Sequence, residues 1–212
     1  MTESIKNTKF LILEMIAIFV LIPIVLLLDI LIWIKVGVVI LGLIYVILSI
    51  RKEGLFKKKL YSITWNKEHR RSMFVLWGVF AIVSTTLMYV FYPEMFFSVV
   101  VSKPWLWVLI LFIYSFLSVL PQEVIYRQFF VKRYRHLFTS DWVFILVNGL
   151  IFSLGHIMFK NPLVLGLTFV GGILFCYRYL RTESIVTLSI EHAFYGMWLF
   201  TIGMGEMLAF PT

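Results

Sequence analysis

Apolar stretches near 10–33, 36–50, 72–92, 105–127, 142–159, 163–180 and 184–202 take up most of the chain's 212 residues. Each approaches the ~20 residues a helix needs to cross a bilayer. Lipid offers the backbone no hydrogen-bond partner, so such runs fold as helices that satisfy their own N–H and C=O groups. The expected fold is therefore all-α: a polytopic membrane helix bundle of about seven transmembrane helices, with little chain left for a soluble domain. Composition agrees, at 61% hydrophobic, 14% charged and mean hydropathy +0.97. The first run, Phe10 to Trp33, is too long for a signal-peptide core and lacks a small-residue cleavage site, so it reads as the first span. The single cysteine, Cys176, lies in Phe175-Cys176-Tyr177. It excludes an internal disulfide and a Cys-based metal site and is expected to pack in the interior.

The net charge of +8 does not point to nucleic acid, because the Lys and Arg residues lie in loops between spans. Segment 51–71 holds Arg51, Lys52, Lys57, Lys58, Lys59, Lys67, Arg70 and Arg71, a run that suits the cytoplasmic face and anionic headgroups. With the N-terminus inside, Lys6, Lys9, Lys132, Arg133, Arg135, Arg178 and Arg181 share that side, and Lys35, Lys103 and Lys160 face outward. The partners implied are the lipid bilayer and membrane-embedded molecules, with no nucleic acid.

Turn signals place a tight loop at Ile34-Lys35, an outer loop bracketed by Pro93 and Pro104, a helix start at Thr139-Ser140-Asp141 and a turn at Asn161-Pro162. Gly171-Gly172 permits close helix contact. The chain divides into N-terminal transmembrane helices (1–104), a C-terminal membrane core (105–202) and a short tail (203–212).

Three polar clusters interrupt the core: Pro121-Gln122-Glu123-Val124-Ile125-Tyr126-Arg127, Phe152-Ser153-Leu154-Gly155-His156 and Glu191-His192-Ala193-Phe194-Tyr195-Gly196. Ionisable groups in lipid are costly, which makes them candidates for function. Measured from the turn at 139–141, Glu123 lies about 17 residues back and His156 about 16 forward, roughly 25 Å each way along a helix. An antiparallel hairpin would bring them to similar depth if the fourth helix continues through the basic stretch Lys132 to His136. His192 lies roughly 12 Å into the last span. Glu123 and Arg127 are one turn apart, the spacing of an ion pair. Asn148 lies one turn before Phe152, while His69 and His136 fall in basic loops and are expected to be solvated.

In these clusters the chain resembles the CPBP family of intramembrane proteases, also called the CAAX protease and bacteriocin-processing or Abi family. The family pattern is Glu-Glu-x-x-x-Arg, Phe-x-x-x-His and His-x-x-x-Asn on successive helices of a four-helix core. The matching residues are Gln122-Glu123-x-x-x-Arg127, Phe152-x-x-x-His156 and His192-x-x-x-Gly196, within roughly 105–202. The resemblance implies an intramembrane endopeptidase, in the plasma membrane of a prokaryote, acting on membrane-embedded peptides or lipidated proteins. The resemblance makes Glu123, His156, His192 and Arg127 catalytic candidates; Glu191, which lies outside the family pattern, is a further one, with Gln122, Asn148 and Tyr195 as substrate-binding candidates.

Two positions depart from the pattern: Gln122 replaces a Glu and Gly196 an Asn. An amide accepts no proton, so the base falls to Glu123 or to Glu191, and the oxyanion donor to Tyr195 or Asn148. His156 and His192 either transfer protons directly or, with Glu123, hold a divalent metal such as zinc. Two other readings stand beside this one. The first is a catalytically inactive relative acting in peptide binding, bacteriocin immunity or regulation. The second is a small transporter, whose inverted repeats are not evident.

Overall fold

The structure, a computed structural model, describes residues 2–54 and 58–205. Residues 55–57 of the basic segment and the tail from 206 onward lie outside the described residues. The molecule is 85% helical, without strands among the described residues. Among the described residues, six helices are long and apolar enough to cross a membrane: α1 (Thr8–Leu27), α2 (Ile32–Lys52), α3 (Lys67–Phe91), α4 (Pro104–Leu137), α5 (Asp141–Phe159) and α6 (Pro162–Thr182). The seventh expected span is α7 (Ile185–Thr201), at 17 residues. The outer loop carries a short apolar helical stretch, Pro93–Ser102.

Local chemistry sets many of the ends. Pro104 opens α4 at a position where its missing N–H costs nothing. Asn161 caps α6, its Oδ1 accepting from the N–H groups of Leu163 (2.9 Å) and Val164 (3.2 Å). Asn66 and Ser184 do the same for α3 and α7, accepting from His69 N–H at 2.7 Å and Thr187 N–H at 3.1 Å. Ser140 takes the cap position of α5 without a side-chain cap bond, and Asp141 pairs with Arg135, whose Nε lies 2.8 Å from Oδ1.

The first loop is not where the sequence suggests. Leu28 turns extended after α1, and α2 starts at Ile32, so Ile34-Lys35 lie inside a helix of 21 residues. The apolar run continues through the break, and hydropathy carries no signal of where the chain turns.

Prolines loosen two helices from within. A π-helical stretch, Ala17–Leu21, precedes Pro23 in α1. Another, Tyr114–Val119, leads to Pro121 in α4, followed by α-helical Leu120–Glu123 and a second π stretch, Val124–Phe129. Proline cannot donate to the carbonyl four residues back and its ring crowds that carbonyl, so the preceding turn widens.

The chain packs as two compact units, one formed by the described residues of 1–57 with 124–177, the other by those of 58–123 with 178–212. The division falls inside α4 after Glu123 and inside α6 after Tyr177. In the first unit, Phe19 packs against Tyr126, Phe129, Phe130 and Tyr134, with the Phe130 ring centred 5.0 Å away. Buried Glu14 accepts from Arg133 Nε (2.5 Å) and Nη2 (2.9 Å), from Tyr134 Oη (2.9 Å) and from Tyr45 Oη. Helices α5 and α6 touch through glycine: a Cβ on Gly172 would lie 2.8 Å from Gly149 Cα, and one on Gly149 would lie 2.8 Å from Ile173 Cγ1. The close contact expected at Gly171-Gly172 thus belongs to Gly172, with Gly149 opposite it.

In the second unit, Trp77 Nε1 donates to the Phe194 carbonyl (3.1 Å) and Trp107 Nε1 to Thr201 Oγ1 (3.1 Å). These bonds tie α3 and α4 to α7. Val99, Ile110 and Phe200 form a buried cluster against which Tyr114 packs.

Candidate functional site

The second unit brings the first and third clusters together. Glu123, at the end of the short α-helical turn of α4, is fully buried, and its Oε1 lies 2.6 Å from Nδ1 of buried His192 on α7. With Glu123 ionised and His192 neutral, Nδ1 would carry the hydrogen and Nε2 the lone pair. A short, charge-assisted bond away from water is among the stronger contacts available to a side chain.

Tyr114 closes one side of this pair, its ring standing edge-on to the imidazole with centroids 6.2 Å apart. It also explains Gly196. A Cβ at that position would overlap the Tyr114 hydroxyl and Cζ, so the phenol occupies the space of the missing side chain.

Glu191 faces other partners, as its position about 100° around the helix from His192 requires. It is fully buried, with His69 Nε2 3.4 Å from Oε2 and Arg178 Nε 3.4 Å from Oε1. Arg178 Nη2 donates to Ser72 Oγ at 2.7 Å. This corrects the expectation that His69 is solvated: it is 8% exposed within α3, and Arg178 is 7% exposed within α6. Both sit near the ends of their helices, where charge reads as a surface signal, and only a buried carboxylate on another helix draws them inward. His136 is exposed, as expected.

The other predicted residues have defined surroundings. Gln122 Nε2 donates to Ser118 Oγ one turn back, at 2.9 Å. Tyr195 packs its ring against Phe80, with centroids 5.1 Å apart. In the first unit, the buried Arg127 guanidinium lies over the Phe152 ring, 4.5 Å from its centre, and 5.7 Å from that of Phe175. Asn148 Nδ2 donates to the Tyr126 carbonyl (2.9 Å), within the second π stretch of α4. His156 follows the last regular turn of α5, and its Nδ1 lies 2.7 Å from the Phe152 carbonyl. A carbonyl only accepts, so here Nδ1 donates. The Phe-x-x-x-His spacing thus uses the imidazole to satisfy a carbonyl at a helix end.

Sequence reasoning missed Tyr114, His69 and Arg178. The signal for Tyr114 was the glycine itself: a small residue one turn from a buried His leaves room for an intruding group. Arg178 was visible as a charge within an apolar run.

The proposed metal ligands were tested against this geometry. Glu123 Oε1 is engaged by His192 Nδ1, and no group of three His, Cys, Asp or Glu side chains among the described residues is placed to hold a metal ion. No step below runs through a metal.

Residues 104–198 match the family model described as Type II CAAX prenyl endopeptidase Rce1-like. The comparisons with curated proteins and with solved structures found no match.

Proposed function

From the premise that segment 104–198 belongs to the Rce1-like family of type II CAAX prenyl endopeptidases, we propose that the protein is an intramembrane endopeptidase that hydrolyses peptide bonds of membrane-tethered substrates. The observation that carries the reading is the buried Glu123–His192 contact of 2.6 Å. Glu123 fixes the tautomer of His192 and stabilises the imidazolium that forms when Nε2 takes a proton, the division of labour of a carboxylate–histidine pair in hydrolases generally. The water oxygen bonds to the scissile carbonyl carbon while its proton passes to Nε2. The C=O electron pair moves onto oxygen, then re-forms the carbonyl as the C–N bond breaks, and the proton passes from Nε2 to the departing nitrogen.

His156, whose Nδ1 donates to the Phe152 carbonyl in the first unit, joins this reading through the sequence pattern alone, as does Arg127. Glu191 holds His69 and Arg178 and serves as a positioning residue. Suitable substrates are prenylated C-terminal peptides, processed peptides and single spans, in the cytoplasmic membrane of a prokaryote.

The test is cleavage of a panel of prenylated and single-span peptides by the purified full chain in lipid nanodiscs. Wild type is expected to cleave at least one peptide, Glu123→Gln to lose about 10³–10⁴-fold in rate, and His192→Gln and His156→Ala to lose at least about 100-fold. Undiminished activity in Glu123→Gln and His192→Gln would overturn the assignment. Activity lost to a chelator and restored by zinc would give Nε2 of the histidines a ligand role instead of a proton-transfer role. A second reading, peptide binding without hydrolysis, is favoured by the amide at Gln122. It predicts that all variants bind the panel as wild type does and that none cleaves.

A further inference from the structure

We propose that the Tyr114 hydroxyl is a catalytic hydrogen-bond donor, directed at the oxygen on which negative charge develops during hydrolysis. The inference rests on the endopeptidase reading above and assigns that site a group nothing else accounts for.

Three observations carry it, all within one unit. The phenol fills the side-chain space of Gly196, so the hydroxyl sits against the backbone of α7. Residue 196 lies one helical turn beyond His192 on the same face, and side chains so related are about 5–6 Å apart at Cβ. The Tyr114 ring also stands edge-on to the His192 imidazole, 6.2 Å between centroids at 82°. Hydroxyl and imidazole thus present a donor and a proton acceptor side by side, with Glu123 behind the imidazole.

The position is fixed from both ends. Tyr114 opens the π-helical stretch Tyr114–Val119, whose widened turn sets the direction of its side chain independently of Glu123 nine residues on. Its ring packs on Phe200, 4.9 Å between centroids, so it cannot swing away without opening the buried cluster around Val99 and Ile110. Gly196 is the complementary half of the device, because any side chain there would displace the phenol.

In the reaction, the water oxygen adds to the carbonyl carbon, the π pair moves to the carbonyl oxygen, and the water proton goes to His192 Nε2. Tyr114 keeps its own proton throughout and offers it as a hydrogen bond to that oxygen. The bond strengthens as charge builds and relaxes when C=O re-forms and C–N breaks. A donor of this kind stabilises the transition state more than the bound substrate, so its loss falls on kcat rather than KM.

The experiment compares wild type, Glu123→Gln, Tyr114→Phe and Phe200→Leu in the nanodisc cleavage assay, with thermal unfolding of each. Tyr114→Phe keeps the ring and its packing. It is expected to lower kcat by about 10²–10³-fold, as loss of one oxyanion donor does, with KM within about twofold and unfolding temperature unchanged. Phe200→Leu, which perturbs only the packing, is expected to lower the unfolding temperature with a smaller loss of kcat. Cleavage that needs Glu123 but persists at the wild-type rate in Tyr114→Phe overturns this inference and leaves the endopeptidase reading standing. Loss of rate matched by loss of folded protein assigns Tyr114 to packing and overturns it as well. No cleavage by wild type across the panel overturns both readings together.

Discussion

Glu123 and Glu191 are the same residue type, both fully buried, and their neighbours give them different work. Glu123 meets one imidazole, whose second nitrogen is then prepared to accept a proton. Glu191 lies between a histidine and an arginine that come from other helices. Glu191→Gln should therefore act mainly on stability. It leaves Arg178 buried without its carboxylate, at a cost of about 3 kcal/mol, seen as a lower midpoint in denaturant. Glu14→Gln should cost less, about 1–2 kcal/mol, since Arg133 is only partly buried and keeps Glu53 as an ion-pair partner, while Tyr134 and Tyr45 lose a charged acceptor. Wild-type unfolding midpoints in both variants would refute this account of the two clusters. At this scale the sequence was informative about which residues are unusual, because charge in an apolar run stands out. It said less about pairing. Nothing in the neighbourhood of His69 or Arg178 announces that Glu191, more than a hundred residues from the one and a dozen from the other, is the partner.

Helix ends were legible wherever a side chain does the capping, as at Asn161 before Pro162. They were not legible at the α1–α2 break, where apolar residues continue on both sides and lipid-facing helices need no amphipathic signal. The π stretches were equally hidden. Pro121 marks a place where the helix must loosen, but not which neighbouring group will satisfy the carbonyls that are freed. Asn148 is that group for Tyr126, so Asn148→Leu is expected to destabilise by about 1–2 kcal/mol, the cost of an unmet buried acceptor. Gly172→Ala tests the α5–α6 contact. The added methyl meets Gly149 Cα at 2.8 Å and Phe152 Cβ at 3.0 Å, so the helices must separate, at about 1–3 kcal/mol. Unchanged thermal stability in both would mean that these contacts give way without cost.

At the scale of the whole molecule, a multi-pass membrane protein was evident from hydropathy alone, and the basic loops predict an orientation with the N-terminus inside. With Cys176 buried and replaced by serine for the purpose, a cysteine at Lys160 or Lys103 should react with an impermeant maleimide from outside intact cells, and one at Lys132 only after lysis. The reverse result would invert the topology. The family pattern covers 104–198, and the helices before it carry no comparable polar cluster, which is why the sequence is informative about the core and nearly silent on the rest. The 34-residue length of α4 has one more consequence. At 1.5 Å per residue, the part of it that lies in the second unit, Pro104 to Glu123, rises about 28 Å, nearly the ~30 Å of hydrocarbon. With Pro104 at the outer surface, as the orientation expected from the basic loops has it, Glu123 would lie near the inner boundary of the hydrocarbon rather than at its centre. Under the proposed hydrolysis, a substrate anchored in the inner leaflet would present its polypeptide at that same level.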